Sequence, residues 1–81
     1  MAGPYQPLTQ IKKGCKAIVH HFTGGQALSN RLLILGFTKG AEVAVQQNPG
    51  FGPVIVLIRN SRIALGRGEA RKVLVEEVNS E

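Results

Sequence analysis

The glycines and prolines of this 81-residue chain fall between short apolar segments and not inside them. There are ten glycines and four prolines, a combined share above the roughly 12% that is usual for proteins. The longest uninterrupted apolar run, residues 54–58, is far shorter than the roughly 20 residues that a membrane-spanning helix needs. The pattern predicts a single domain over residues 1–81, built mainly from short strands, with residues 1–7 and 79–81 flexible.

Five segments have the sequence pattern of strands, because they are rich in β-branched residues or alternate between apolar and polar residues. They cover approximately residues 15–22, 42–47, 54–59, 62–65 and 73–78. The pair Asn60-Ser61 predicts a two-residue hairpin turn between the third and fourth segments, and residues 66–70 predict a connecting turn. Five short strands in one small domain predict a closed β-barrel, since closure removes exposed strand edges.

One segment, residues 24–35, has the pattern of an amphipathic helix and lies between the first and second predicted strands. Thr23 and Gln26 have capping-box spacing, and Gly36 stands where a left-handed C-terminal cap is expected. Steps of 100° per residue place three leucines on one stripe, namely Leu28, Leu32 and Leu35. Leu33 falls on the polar side, where it either tucks under a neighbouring loop or contacts a partner.

Charge and composition restrict the function classes. Five lysines and five arginines against five glutamates give a net charge of +5, which favours acidic partners or a membrane-proximal surface. The single cysteine, Cys15, excludes an intramolecular disulfide and fits a reducing compartment. The first ten residues lack the positive charge and the apolar run of a secretory signal. With no Asp and few carboxylates outside the C-terminal end, the sequence predicts a protein that is not an enzyme.

Cys15, His20 and His21 are the only thiol and imidazole ligands that the chain offers to a metal ion. Neighbouring side chains in a strand point to opposite faces, so His20 and His21 are not expected to hold one ion together. A bend after Val19, or a site assembled from two chains, would relax this restriction. These residues are therefore weak candidates, no cofactor is expected, and Fe(II) or another transition metal lacks support from the ligand geometry.

Basic residues cluster in the C-terminal third of the chain, at Arg59, Arg62, Arg67, Arg71 and Lys72. Such a cluster fits either a solvated surface or a nucleic-acid interface. The segment Arg59-Asn-Ser-Arg62 with its flanking isoleucines resembles the arginine-bearing hairpin of Sm-like proteins, so a small RNA-binding barrel is one alternative function. Four aromatic residues and no Trp provide little for base stacking, and nucleic-acid binding is the less favoured alternative.

The order of several motifs resembles one known family. The motif Arg31-Leu-Leu-Ile-Leu-Gly-Phe-Thr-Lys-Gly40 is followed by alternating valines, by a Pro- and Gly-containing loop at 49–53, and by Ile63-Ala-Leu65 and Glu69-Ala70 before the valines of 73–75. This combination is similar to FeoA, ferrous iron transport protein A, over residues 8–78. The loop reads Phe51-Gly-Pro53 where FeoA-like sequences often have Gly-Asp-Pro, so no role of that acidic residue is carried over.

The resemblance implies an SH3-like barrel in the bacterial cytoplasm that acts as a regulatory accessory protein of ferrous iron uptake. Its implied partner is the cytosolic G-domain of the membrane transporter FeoB, so the protein would be peripheral to the inner membrane only through that partner. Self-association stays open, and a metal-binding or metal-sensing module is a further alternative. Two hypotheses give the partner-binding residues: Arg31, Leu33 and Ile34 on the helix, or Phe51 in the loop 48–53.

Overall fold

The computed structural model describes residues 5–78. Six strands, two helices and one 3₁₀ turn follow one another along the chain: β1 (Tyr5–Pro7), the 3₁₀ turn (Leu8–Gln10), β2 (Lys16–Phe22), α1 (Gln26–Ile34), β3 (Glu42–Gln47), β4 (Val54–Ile58), β5 (Ser61–Leu65), α2 (Arg67–Ala70) and β6 (Val73–Val78). All strand pairs are antiparallel, in the order β1-β6-β2-β3-β4-β5. The fold is therefore mainly β, as the sequence predicts.

Two parts of the predicted architecture are wrong. The sheet has six strands and is not closed into a barrel, because within residues 5–78 no ladder joins its end strands β1 and β5. The additional strand is β1, which pairs with β6 and makes α1 lie between the second and third strands. Of the residues expected to be flexible, 5–7 form this strand, and 1–4 and 79–81 lie outside the described residues.

One apolar cluster fills the inner side of the sheet. Alternate residues of the strands point into it, as the two-residue period of a strand requires. Leu8 and Ile11 from the 3₁₀ turn and its exit, Leu32 from α1, Phe37 and Ala70 complete the cluster, and all five are fully buried. No charged or polar side chain is buried in the described part of the chain. The short helices therefore close the core on the side that the sheet leaves open.

The turn between β4 and β5 is displaced by one residue from its predicted position. Arg59 and Asn60 are the two turn residues, with φ of 51° and 65°, and Ile58 pairs with Ser61. Positive φ at both central positions is the geometry of a type I′ turn, whose twist matches that of a hairpin. Residues 66–70, expected as a simple turn, contain α2.

Candidate partner-binding surface

Helix α1 begins later than the sequence predicts. Its N-cap is Gly25, which provides no side-chain hydrogen bond. The predicted cap, Thr23, instead donates its backbone N–H to the carbonyl of Lys72 at 2.8 Å, so it continues the pairing between β2 and β6. The capping-box prediction at Thr23 and Gln26 is therefore wrong. In a capping box the Gln26 side chain would bond to the Thr23 N–H, but that N–H is already bonded to Lys72 O.

The C-terminal end of α1 has a well-defined cap. Gly36 has a φ of 105°, and its N–H donates to Leu33 O at 3.0 Å while the Phe37 N–H donates to Leu32 O at 2.9 Å. These two bonds are those of a Schellman motif, and the buried side chains of Leu32 and Phe37 provide its apolar contact. The prediction that Gly36 ends the helix is confirmed.

The hairpin turn also contacts this end of α1. Arg59 Nε donates to Gly36 O at 3.3 Å, and Arg59 Nη2 donates to Thr38 Oγ1 at 2.8 Å. The guanidinium thus satisfies a carbonyl next to the helix C-terminus, where a positive charge is favourable. Arg59 therefore has a structural role, although the sequence grouped it with a basic surface.

Two apolar side chains of α1 face solvent beside this fixed end. The predicted stripe is confirmed, with Leu32 fully buried and Leu28 and Leu35 partly buried. Leu33 is 46% exposed and Ile34 is 85% exposed. We call these two residues the helix patch. Of the two readings of Leu33, burial under a loop is wrong, because nearly half of its side chain is open to solvent.

Arg31, the third predicted site residue on α1, forms an intramolecular contact at the surface. Its guanidinium forms an ion pair and hydrogen bond with the Glu69 carboxylate of α2. The other oxygen of the same carboxylate accepts a bond from the Gly66 N–H at 3.3 Å, at the start of α2. Glu69 therefore joins the two helices, and Arg31 positions the helix patch.

Phe51 lies in the loop 48–53 and is 76% exposed. The loop is anchored at both ends. Asn48 Nδ2 donates to the carbonyls of Thr9 and Ile11 at 2.8 and 2.9 Å, and Arg67 Nε of α2 donates to Gly52 O at 3.2 Å. Arg67 also donates to Asn48 Oδ1. Helix α2 thus contacts both the loop that carries Phe51 and the helix that carries the patch.

Sequence reasoning missed this framework of Asn48, Arg67 and Glu69. Asn48 was only a strand terminator in the sequence, and Arg67 was one of several basic residues. The pattern Gly66-x-x-Glu69 does have the spacing of a capping residue and its partner, which is the one local signal that was available. The other contacts join residues 15 to 39 positions apart, so no short-range pattern reveals them.

The weak metal-ligand candidates divide into two places. Cys15 is partly buried and packs against the apolar core. His20 and His21 lie side by side, with their Nδ1 atoms 2.7 Å apart, because the pairing of β2 with β6 shifts register between Val19 and His21. The expectation that these neighbours point to opposite faces is wrong, and the bend after Val19 is present as this shift. No group of three potential ligands forms among residues 5–78.

A basic concavity lies on a different part of the surface. It has a volume of about 450 Å³ and is lined by the chain around Gly14, by β3 and by three cationic residues, Lys13, Lys16 and Arg62. Only Arg62 among these belongs to the predicted C-terminal cluster, whose members Arg59 and Arg67 are engaged in the contacts described above. The helices of the described chain are all too short to cross a bilayer.

Comparison with known proteins identifies the family. The FeoA domain model matches residues 6–77. A curated protein of Methanocaldococcus jannaschii, named Fe(2+) transport protein A, is 38% identical over 71 residues, which cover 88% of this chain and 85% of the relative. The crystal structure of an iron uptake regulatory protein (FeoA) is 32% identical, covers 91% of this chain and 99% of its own, and superposes with a TM-score of 0.86.

A zinc complex of FeoA from Stenotrophomonas maltophilia, described as a procaryotic SH3 domain protein, is also similar. It is 32% identical, covers 88% of this chain and 89% of its own, and has a TM-score of 0.78. These matches agree with an SH3-like fold, and they extend over nearly all of the described residues. The chain therefore belongs to the FeoA domain family, which is associated with ferrous iron transport.

Proposed function

We propose that this protein is a non-enzymatic regulatory accessory of ferrous iron uptake, and that it docks on the cytosolic G-domain of the membrane transporter FeoB. In this proposal it is cytoplasmic and reaches the membrane surface only through that partner. Family membership supports the link to iron transport. The helix patch supports docking, because two neighbouring apolar side chains exposed to solvent can be buried by a protein partner.

The single observation that carries docking is the exposure of Ile34, which is 85% open to solvent at a rigidly capped helix end. The Schellman bonds, the Arg59 contacts and the link from Arg31 to Glu69 hold this end from three directions. The backbone that carries Ile34 is therefore already ordered, and a partner that binds this side chain does not have to order it. A few buried anchor residues carry most of the binding energy of an interface, and anchors that are ordered before binding cost less to immobilise.

The test is the affinity of the purified cytosolic domain of FeoB for variants of the helix patch. Leu33→Asp and Ile34→Asp place a charge in the contact, and we expect each to weaken binding at least ~10-fold, equivalent to about 1.4 kcal/mol. Ala27→Asp is the matched control, since Ala27 is exposed near the other end of the same helix. Unchanged affinity in folded patch variants would remove α1 from the interface.

Phe51 provides a second place for the contact. Its ring is exposed on an anchored loop, and loops on rigid scaffolds often carry recognition. If the partner uses this loop, Phe51→Ala weakens binding while Gln47→Ala, an exposed neighbouring change, does not. Full affinity in Phe51→Ala would restrict docking to the helix patch.

RNA binding is the alternative function, and the basic concavity of Lys13, Lys16 and Arg62 is the observation that favours it. Binding through phosphate contacts weakens steeply with added salt, whereas an apolar contact does not. A titration with single-stranded RNA at two salt concentrations separates the two functions. Salt-dependent binding that Arg62→Ala weakens would favour the RNA alternative, and an absence of binding would oppose it.

A further inference from the structure

A one-residue irregularity brings the two histidines of this chain together. Val19 pairs with Val75 and His21 pairs with Leu74, so β2 has one residue more than β6 between these pairs, and that residue is His20. Val19 is buried on the inner face, so His20 points outward by alternation. Beyond the shift, His21 lies opposite Leu74, the residue that alternates with the buried Val73 and Val75, so it points outward too. Two consecutive imidazoles thus share the outer face of the sheet.

The rings are ordered by a third aromatic residue. Tyr5 of β1 stacks on His20 with the ring centroids 3.7 Å apart and an angle of 26° between the planes. The rings of Tyr5 and His21 are nearly perpendicular, with their centroids 6.5 Å apart. The two imidazoles are inclined to each other by 76°, with Nδ1 facing Nδ1 at 2.7 Å. The pair is therefore arranged before any ligand binds, and its nitrogen atoms converge.

This convergence is close to the geometry of a chelate. Two imidazole nitrogens at about 2.0–2.1 Å from a tetrahedral ion stand about 3.3 Å apart. The rings need to separate by only roughly 0.6 Å from their present contact to admit such an ion. Small rotations about the side-chain bonds suffice, because His21 is exposed and His20 is only partly buried.

We propose that His20 and His21 form a binding site for a divalent transition metal, with both Nδ1 atoms as ligands. In the metal-free pair one ring donates its Nδ1–H to the other. Binding needs both Nδ1 lone pairs, so the donating ring loses that proton and becomes the tautomer protonated at Nε2, with no net proton release from a neutral pair. Since no third His, Cys, Asp or Glu joins the pair within residues 5–78, water completes the coordination.

The ligand type determines which metals the site prefers. Imidazole ligands suit zinc, copper and nickel, and affinities for divalent ions rise from manganese and iron(II) towards copper. The site therefore binds Ni²⁺ and Zn²⁺ more tightly than Fe²⁺ or Mn²⁺. It uses no residue of the helix patch, so it is independent of the docking proposed above and its test does not involve FeoB.

The test is titration of the full chain with Zn²⁺ by calorimetry, and with Co²⁺ by absorption spectroscopy. We expect His20→Phe, which keeps an aromatic ring against Tyr5, and His21→Gln each to weaken affinity at least ~10-fold, because loss of even an outer-shell partner costs about 10–100-fold. Cys15→Ser is the matched control and keeps full affinity. Circular dichroism of the metal-free variants verifies that they fold.

Three results would overturn the site. They are a wild-type chain without saturable binding, wild-type affinity in both folded histidine variants, or loss of binding in Cys15→Ser with a thiolate-to-cobalt band in the wild type. Imidazole ¹⁵N shifts provide a separate readout, since coordination at Nδ1 moves the Nδ1 resonances of both rings. Fe²⁺ or Mn²⁺ binding more tightly than Zn²⁺ would also contradict imidazole ligation.

Discussion

Gly36 is the residue at which backbone conformation and side-chain space both restrict the sequence. Its φ of 105° is a conformation that costs an L-residue about 1–2 kcal/mol, and an added Cβ would lie 3.1 Å from Arg59 Cδ. Gly36→Ala is therefore expected to lower the free energy of unfolding in urea by at least about 1–2 kcal/mol. It also displaces the arginine that contacts the end of α1.

Gly68 is the matched control for this change. It lies in α2, without a positive φ and with nothing within 4 Å of an added Cβ. Gly68→Ala is expected to leave stability unchanged or to raise it by up to about 1 kcal/mol, since alanine is the better helix former. Equal losses at the two positions would show that the conformation of Gly36 is not the cause.

At the scale of the elements, the Glu69 carboxylate accepts a bond from the Gly66 N–H at the start of α2 and pairs with Arg31 of α1, so the ion pair is what connects the two helices. Glu69→Ala removes the bond to the Gly66 N–H and the ion pair with Arg31, so we expect a loss of about 1–2 kcal/mol in unfolding free energy. Arg31→Ala is expected to cost about 0.2–1 kcal/mol, because that side chain is largely exposed. A double-mutant cycle in urea measures how much of the second loss depends on Glu69.

We expect most of the Arg31 effect to vanish in the Glu69→Ala background and to shrink at high salt, since screening weakens a largely exposed pair. Glu77→Ala is the control, because Glu77 is an exposed glutamate on β6. Additive losses in the cycle would mean that Arg31 stabilises α1 by a contact other than Glu69.

Local sequence signals were sufficient to predict some of the helices and strands but not others. The leucine stripe and Gly36 predicted α1 and its end, because both signals are local and the core contact of Leu32 follows from the helical period. Alternation predicted β3 for the same reason. The capping-box spacing at Thr23 failed because a long-range partner, Lys72 O, takes its N–H. Alternation alone separated the two histidines, because it has no place for a one-residue bulge, and a bend after Val19 was only an exception to that expectation.

At the scale of the whole molecule, the number of strands and the closure of the sheet were beyond the sequence pattern. Alternation shows which face of a strand is buried, but it does not show which strand edges meet. β1 has only three residues and includes Pro7, so it lacks the apolar run by which the other strands were found. Leu33, Ile34 and Phe51 are exposed, as a partner contact requires, because apolar residues off the core stripe or in a glycine-containing loop have no core to enter. That they bind a partner stays a prediction.

The open sheet leads to a prediction about β1. This strand covers one edge of β6, and its proline suits an edge position because it cannot donate to another strand. A chain that starts at Leu8 after an initiating Met loses this cover, the ladder bonds and the Tyr5 stack on His20. At about 0.5–1.5 kcal/mol for each lost hydrogen bond, we expect a loss of about 1–3 kcal/mol in unfolding free energy.

Because β6 becomes an edge with unpaired backbone groups, self-association of the shortened chain should also increase in sedimentation equilibrium. A chain that starts at Tyr5 keeps β1 and is the control; if the two chains are equally stable and equally monomeric, β1 does not protect the sheet.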